Sequence, residues 1–370
     1  MNDSFIGDEL FDYAVSMRRK LHACPELSGK EFVTSAIIRS ELESMGYAVK
    51  TAHTGLFTDV RGRGYGAKLA FRADFDALPV RENTGLPFAA DCGNMHACGH
   101  DAHTAMLLTA AKYFVSHPPA HDVRLIFQFG EEGEGGALTM IEGGAIEGID
   151  EIYAFHLCPE ADKGVFATTA DCALFAGVME FDVCVKGRTS HCASPENGAD
   201  AIASAMRFAT EAKLAVEKCG GALMHTGKIS GGSARNVVAG EALLECSFRY
   251  TVKDRLESAR GIFKDVLAEC DARYGTQSGV RVKTIYPPLV NDASCVARLS
   301  RAVKISPSGG RFTAEDFAFY LEKVKGCMCW LGIRDEKHTA PLHSDTFDFD
   351  EGVLALGAEA FVKLADTEDL

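Results

Sequence analysis

Short apolar runs alternate with amphipathic stretches along the first 160 residues of this chain. Apolar side chains recur at helical spacing in two early stretches, and the second of these stops at Gly46. The helical patterns cover 11–19, 31–44 and 102–115, and the apolar runs typical of strands cover 69–72, 123–129 and 152–155. Because strands alternate with helices, the pattern predicts an α/β domain with a doubly wound, mostly parallel sheet.

A different pattern begins at residue 177. Strands are predicted at 178–185, 222–229, 242–250 and 280–285, and helices at 199–218 and 255–272. The order βαββαβ predicts a ferredoxin-like α+β domain with an antiparallel sheet and two helices on one face. Further elements follow at 295–303, 316–321 and 327–331. We therefore expect a discontinuous catalytic domain, 1–176 and 292–370, interrupted by an inserted domain, 177–291.

Composition narrows the possible partners and the compartment. The formal net charge of −14 disfavours a nucleic-acid or anionic-membrane partner, and no apolar run approaches the roughly 20 residues that span a bilayer. The N-terminal sequence has neither the basic start nor the apolar centre of a signal peptide. Together with an odd number of cysteines, 13, this predicts a reducing, cytoplasmic location.

The strongest chemical signal is a segment with four potential metal ligands in eight residues. It contains His96, Cys98, His100 and His103, and mixed thiolate and imidazole ligands suit a divalent metal such as Zn²⁺. Carboxylates or imidazoles also follow each of the three predicted strands. These residues are Asp74, Asp76, Glu131, Glu132 and His156. Because sites in open α/β sheets gather at the carboxyl ends of strands, we expect them to meet the cysteine segment.

Each of these residues has a less specific interpretation when taken alone. Glu131 and Glu132 could form a solvated turn, and His156 and His343 could simply pack or hydrogen-bond. Hydrolysis at a metal centre, however, needs one carboxylate to hold metal and another to accept a proton from water. Other polar residues are expected to support the ligands, since ligating imidazoles usually donate to a carboxylate. The supporting residues predicted on this basis are Asp76, Asp101, His96 and His103.

Seven motifs occur in one order along the chain and together closely resemble a known family. They are Arg72-Ala-Asp-Phe-Asp-Ala-Leu-Pro, Met95-His-Ala-Cys-Gly-His-Asp-Ala-His-Thr, Gln128-Phe-Gly-Glu-Glu-Gly, Thr189-Ser-His-Cys-Ala-Ser-Pro, Ser233-Ala-Arg-Asn-Val-Val, Ala314-Glu-Asp-Phe and Leu342-His-Ser. The resemblance is to the di-metal amidohydrolases of the aminoacylase and carboxypeptidase superfamily. Within it, the nearest branch contains hippurate hydrolases, N-acyl-amino-acid amidohydrolases and indole-acetyl-amino-acid hydrolases.

The resemblance implies two divalent metal ions per subunit, of which zinc, manganese, cobalt and nickel are all candidates. It implies Glu131 as the general base. The metal ligands that it implies are Cys98, His100, Glu132, His156 and His343. One departure is the Phe129-Gly130 pair before the glutamates, where the family usually has Pro-Ala.

The resemblance also assigns a role to the inserted domain. It implies a lid that forms a homodimer, with His191 reaching the partner subunit's active site to polarise the scissile carbonyl. Asn236 would hold one end of the substrate, and Arg235 beside it is a further candidate.

The function expected from these residues is hydrolysis of the amide bond of N-acyl amino acids, either hippurate-like or N-acetyl. The alternative is a metallo-carboxypeptidase or dipeptidase that acts on small peptides. Two other classes are also open: an acyl hydrolase with Cys98 as nucleophile, and a catalytically silent protein that binds acyl amino acids.

Overall fold

The computed structural model describes residues 5–133 and 135–368, so the extreme ends of the predicted catalytic domain, 1–4 and 369–370, lie outside the described residues. The chain forms two compact units. The first contains the residues up to Asp171 together with Val290–Gly309 and the residues from Asp316 onward. The second contains Cys172–Leu289 and Gly310–Glu315.

The elements of the first unit come from both ends of the chain, and those of the second lie between them. The first stretch contains α1 (Asp8–His22), α2 (Phe32–Ser44), β1 (Lys50–Ala52), β2 (Gly55–Val60), β3 (Tyr65–Asp74), α3 (His100–Ser116), β4 (His121–Gln128), α4 (Gly136–Glu142), β5 (Glu151–Asp162) and β6 (Phe166–Thr168). The second unit contains β7 (Gly177–Lys186), a 3₁₀ turn (Pro195–Asn197), α5 (Ala201–Lys218), β8 (Ala222–Gly231), β9 (Glu241–Tyr250), α6 (Arg255–Tyr274) and β10 (Gln277–Tyr286). The chain then returns to the first unit with α7 (Ala293–Ala302), β11 (Ile305–Pro307), α8 (Ala318–Leu321), β12 (Lys325–Arg334) and α9 (Gly352–Ala365).

The first unit is built on one sheet with the strand order β1-β2-β4-β3-β5-β12-β6-β11. The central strands β4, β3, β5 and β12 are parallel, and antiparallel pairs flank them on both sides. Strands β4 and β12 are almost continuously buried, as expected for parallel strands covered on both faces. The predicted α/β fold with a mostly parallel sheet is confirmed.

One strand is longer than its apolar run predicts, and this difference places a functional side chain. The apolar run 152–155 predicts a strand that stops beside His156, and this prediction was wrong, because β5 continues to Asp162. Strand β5 pairs with β3 only as far as Ala154, whereas its pairing with β12 continues beyond His156. His156 therefore lies in a strand that has lost one neighbour, where the sheet opens at its carboxyl edge.

The second unit has a four-stranded antiparallel sheet with the order β10-β7-β9-β8. Its elements follow the order βαββαβ. Helices α5 and α6 contribute to a common core with the sheet, centred on Phe181, Phe208, Phe248 and Phe263. Asp200 caps α5 by accepting a hydrogen bond from the backbone N–H of Ala203.

Among the described residues, no helix combines the length and the apolar character that crossing a membrane requires.

Candidate metal centre

The five predicted metal ligands come from the loop before α3, the first residue of α3, the loop after β4, strand β5 and a loop near the C-terminus. In each of three overlapping groups, the candidate ligand atoms all lie within 4.8 Å of one another. The groups are Cys98–His100–His156, Cys98–Glu132–His343 and His100–Glu131–Glu132. The shared members connect the groups into one cluster, and the predicted general base is part of it.

Gly99 separates the first two candidate ligands and begins helix α3. Its φ of +84° lies in the left-handed region, which a residue with a Cβ atom adopts only at a cost. An added Cβ would also lie 2.8 Å from the side chain of Leu157. Glycine at this position therefore lets the chain turn sharply between Cys98 and His100 while packing against β5.

The ring of His100 is oriented so that one nitrogen faces the cluster. Its Nδ1 lies 3.0 Å from the backbone oxygen and 3.1 Å from Oδ1 of Asp76, both of which accept hydrogen bonds. Nδ1 therefore carries a proton, and Nε2 is the nitrogen that would present a lone pair to a bound cation. Nε2 is buried and has no hydrogen-bond partner among the described residues. A buried acceptor in this state fits a bound cation.

His156 is oriented in a similar way. Its Nδ1 donates to the carbonyl oxygen of Leu157 at 2.8 Å, and its Nε2 faces the sulfur of Cys98 at 3.5 Å. Both side chains are buried. The Nε2 atom of His156 and the sulfur of Cys98 therefore lie side by side, where both could bind one cation.

The cluster carries a local electric field that favours positive charge. Burial lowers the pKa of His100, but the carboxylates of Asp74, Asp76 and Glu132 outweigh this effect and raise it to about 10. Burial and the neighbouring glutamates raise the pKa of the Cys98 thiol well above its usual range. A cation would relieve both effects, so the donor set fits divalent metal binding.

His343 reaches the cluster from a loop near the C-terminus. Its backbone N–H donates to the carbonyl oxygen of Ala97 at 2.8 Å, which ties this loop to the cysteine segment. Its φ of +65° is unusual for a residue other than glycine. The Nε2 atom lies 3.2 Å from a carboxylate oxygen of Glu132. Such strain is found at sites where the surrounding structure fixes a functional side chain.

Comparison with known proteins gives the family of this chain. Residues 70–367 match the sequence profile of Peptidase family M20/M25/M40. The chain belongs to this family. The resemblance found in the motifs is thereby confirmed, and the protein is a metal-dependent M20 hydrolase that acts on amide bonds.

Relatives named as deacetylases and as carboxypeptidases match this M20 protein over most of its length. An N-acetyldiaminopimelate deacetylase of Exiguobacterium sibiricum is 33% identical, covering 92% of this chain and 95% of that protein. Thermostable carboxypeptidase 1 of Saccharolobus solfataricus is also 33% identical, covering 96% and 95%. Among solved structures, the YXEP protein of Bacillus subtilis, described as a dinuclear metal binding peptidase, has 29% identity and a TM-score of 0.86, covering 97% and 98%.

His103 lies beside the M20 cluster, but both of its ring nitrogens already have partners. Nδ1 donates to Asp74 at 2.6 Å, and Nε2 accepts from the backbone N–H of Leu157 at 3.0 Å. Asp74, His100 and His103 are close enough to form a metal group by distance. The two occupied nitrogens of His103 argue against metal there. They indicate instead that His103 supports the strand that carries His156.

The other predicted supporting residues differ in what they contact. Oδ1 of Asp76 accepts a hydrogen bond from Nδ1 of His100 at 3.1 Å. The Asp101 side chain instead binds His22 at 2.8 Å and Arg18 at 3.2 Å, and among the described residues it forms no hydrogen bond with any of the five predicted ligands. His96 is buried with neither ring nitrogen hydrogen-bonded among the described residues, and burial lowers its pKa to about 4.

Two residues beneath the M20 cluster were not singled out by the sequence. Arg72 donates to Asp74 at 2.5 Å and to Asp316 at 3.0 Å, and it also binds the side chain of Gln128. Asp316 in turn accepts from the backbone N–H of Ala137, at the start of α4. Both residues stand in the quoted motifs, but their pairing could not be inferred from the sequence, because 244 residues separate Arg72 from Asp316.

The three predicted residues of the second unit lie on neighbouring loops. The backbone of His191 pairs with that of Val237, and the N–H of Cys192 donates to the oxygen of Asn236 at 3.0 Å. His191, Arg235 and Asn236 are all exposed. Arg235 also lines a surface cavity of about 610 Å³ within this unit.

Proposed function

We propose that this M20 enzyme hydrolyses N-acyl amino acids, with N-acetyl or hippurate-like acyl groups, to a carboxylic acid and a free amino acid. The observation that supports this most directly is the cluster itself. It combines five candidate ligands with an additional carboxylate, Glu131, within reach of the same atoms. Metal-assisted hydrolysis needs both functions.

Cys98, His100, Glu132, His156 and His343 would hold two divalent cations, for which zinc, manganese, cobalt and nickel are candidates. When bound, such cations polarise a carbonyl and lower the pKa of water to about 7. Glu131 accepts the proton of the attacking water and returns it to the leaving amine. The adjacent glutamates thus divide two tasks, one binding the cations and the other transferring the proton.

His191 is proposed to stabilise the developing oxyanion at the partner subunit's active site. Its Nδ1 accepts a hydrogen bond from the backbone N–H of Ala193 at 3.1 Å, so this nitrogen carries no proton. The proton of the neutral ring is therefore on Nε2, which can donate to an oxyanion. Donors of this kind commonly contribute a few kcal/mol, about 2.7–4 for one removed donor.

The substrate proposal draws on the relatives and on the second unit. One relative is named for deacetylation of N-acetyldiaminopimelate, which is an N-acetyl amino acid. Asn236 and Arg235 are exposed on one loop, where an amide and a guanidinium suit the carboxylate end of such a substrate. A carboxypeptidase or dipeptidase is the second candidate, because another relative is named thermostable carboxypeptidase 1.

A substrate panel on metal-loaded protein tests the proposal. We expect amine release from N-acetyl or N-benzoyl amino acids, loss of this activity with a chelator, and its return with Zn²⁺, Mn²⁺, Co²⁺ or Ni²⁺. Turnover of dipeptides alone would favour the second candidate. Metal content measured by mass spectrometry identifies the ion and the stoichiometry.

The same panel separates two further classes. Activity that survives chelation, with a thioester trapped at Cys98, would indicate a cysteine nucleophile. The raised pKa of this thiol disfavours that class, since nucleophilic cysteines need a lowered pKa. Binding of acyl amino acids without turnover under every metal condition would indicate a silent binding protein.

We also propose that the second unit forms a homodimer. Strand β8 is at the edge of its sheet, where unpaired backbone groups can bind a second strand. Three apolar side chains are exposed on β8 and the adjacent helix α5: Met206 (59%), Leu214 (51%) and Ile229 (49%). Met206 and Leu214 are eight residues apart on α5, so they lie on the same face.

Replacing both Met206 and Leu214 with Glu should shift the protein from dimer to monomer in light scattering, because charge would be buried in the interface. We expect turnover to fall in the monomer, since the proposed role of His191 requires a partner. Leu138→Glu, at an exposed apolar position in the first unit, is the control. A wild-type protein that is monomeric at assay concentration would contradict the proposed dimer.

All thirteen cysteines are free thiols in the structure, which supports the proposed cytoplasmic location.

A further inference from the structure

The segment that carries the proposed base follows strand β4 directly. Gly130, the residue before Glu131, has a φ of +64°, so the chain turns sharply there. Glycine is the least restrained residue in this conformation, and the family's usual Pro-Ala pair is absent. The position of Glu131 therefore depends on contacts that hold the backbone around it.

Glu31 supplies one of these contacts from a distant part of the sequence. Its side chain is fully buried, and Oε1 accepts hydrogen bonds from the backbone N–H groups of Gly29 at 2.9 Å and Gly130 at 3.0 Å. Oε2 accepts from the hydroxyl of Thr54 at 3.0 Å. One buried carboxylate thus joins the entrance of α2, the β1–β2 turn and the residue before the base.

Asp76 makes the equivalent contact on the other side of the base. Its Oδ2 accepts from the backbone N–H of Glu132 at 2.9 Å and from the hydroxyl of Ser28 at 2.6 Å. The N–H groups of the residues before and after Glu131 are therefore each bound by a buried carboxylate. Asp76 also orients His100, so it already belongs to the metal centre, whereas among the described residues no hydrogen bond joins the Glu31 side chain to a predicted ligand.

A simpler role for Glu31 would be to cap helix α2, since it occupies the N-cap position. Its side chain makes no capping hydrogen bond. Glu26 performs that task instead, because its carboxylate accepts from the N–H groups of Val33 at 3.1 Å and Thr34 at 2.7 Å. The carboxylate of Glu31 therefore does not cap α2, and it binds the loop that follows β4 instead.

Burying a charged carboxylate at position 31 is unfavourable in free energy. Burial, together with the nearby charge of Asp76, raises the pKa of Glu31 to about 6. An apolar side chain would avoid this cost but would leave buried N–H groups without an acceptor.

We propose that Glu31 is a positioning residue for catalysis, which fixes the backbone of the loop that carries Glu131 and Glu132 through the N–H of Gly130. This inference rests on the proposed roles of the two glutamates. Misplacing a catalytic group by about 1 Å can reduce the rate about a hundredfold, so loss of this contact should act on kcat.

The test compares Glu31→Ala with Glu26→Ala. Each variant removes an N-terminal carboxylate that accepts hydrogen bonds from two backbone N–H groups. Glu31 binds Gly29 and Gly130, the second of which lies in the loop, whereas Glu26 binds Val33 and Thr34 at the start of α2. We expect Glu31→Ala to lower kcat about ten- to a hundredfold with KM within about twofold of wild type. Glu26→Ala should keep the wild-type kcat at a temperature where both variants are folded.

Cobalt(II) gives a second readout that does not need turnover. Because Glu132 is a proposed ligand on the same loop, Glu31→Ala should change the visible absorption of Co²⁺-loaded protein, and Glu26→Ala should not. Glu31→Gln should keep the wild-type kcat and cobalt spectrum. Its amide oxygen can still accept hydrogen bonds from both N–H groups, and its NH₂ group can donate to the hydroxyl of Thr54. If Glu31→Ala does not fold, Glu31→Gln and Thr54→Val are compared instead. We expect the wild-type kcat for Glu31→Gln and a several-fold lower kcat for Thr54→Val.

Wild-type kcat and an unchanged cobalt spectrum in Glu31→Ala would overturn the inference. So would equal losses in Glu31→Ala and Glu26→Ala, which would indicate a general effect on folding, or a Glu31→Gln variant as impaired as the alanine variant. If wild-type protein turns over no N-acyl amino acid or peptide, the proposed function fails, but the cobalt spectra still decide the role of Glu31.

Discussion

Glu131→Gln is expected to lower kcat by at least about a hundredfold, and up to about ten-thousandfold, while the metal content stays at the wild-type level. The substitution keeps the size and shape of the side chain but removes its ability to accept a proton from water. Glu131 lies in the same 4.8 Å group as His100 and Glu132, so it is close enough to serve this function. Amine release and metal analysis on the same preparation measure both effects.

The neighbouring residue offers a matched control. Glu132→Gln changes the same type of side chain one position later, but it should reduce metal content as well as turnover, since Glu132 is a proposed ligand. If Glu131→Gln hydrolysed the substrate at the wild-type rate, the assigned base would be wrong. If it lost metal as Glu132→Gln does, Glu131 would be a ligand instead.

Arg72→Met is expected to lower the free energy of unfolding by about 3–5 kcal/mol, more than any other substitution proposed for this protein. Arg72 is 1% exposed, and its guanidinium lies between the buried carboxylates of Asp74 and Asp316. Removing the cation leaves two like charges in a poorly solvated site. Asp74 also holds His103, so the support beneath His156 should weaken as well. Urea unfolding followed by circular dichroism measures the change.

Arg334→Met is the control for this substitution. Arg334 also lies in a strand and pairs with an aspartate, Asp162, but both side chains are well exposed. An exposed pair contributes at most about 1 kcal/mol, so the loss should be small. Arg72→Lys should lie between the two, because it keeps the charge but loses the fork that contacts both carboxylates. An Arg72→Met protein within about 1 kcal/mol of wild type would contradict this account of the network.

Periodicity located the long elements of the fold and missed others for physical reasons. Helix α9 (Gly352–Ala365) was not predicted: it is rich in apolar residues and mostly buried in the first unit, and periodicity alone does not separate a short apolar helix from a buried strand. Strands β1, β6 and β11 have three residues each, too few for an alternating pattern. The end of β5 was misjudged because pairing with β12, rather than local composition, extends it to Asp162.

The sequence by itself determined the α/β class and predicted a set of side chains for metal binding and proton transfer, because those properties depend on residue type and local order. Only the tertiary structure decided which charges support them. Glu31 reaches Gly130 across 99 residues, and Arg72 reaches Asp316 across 244. Such contacts leave no local pattern, since the free energy of a buried charge depends on the partners that the fold places beside it.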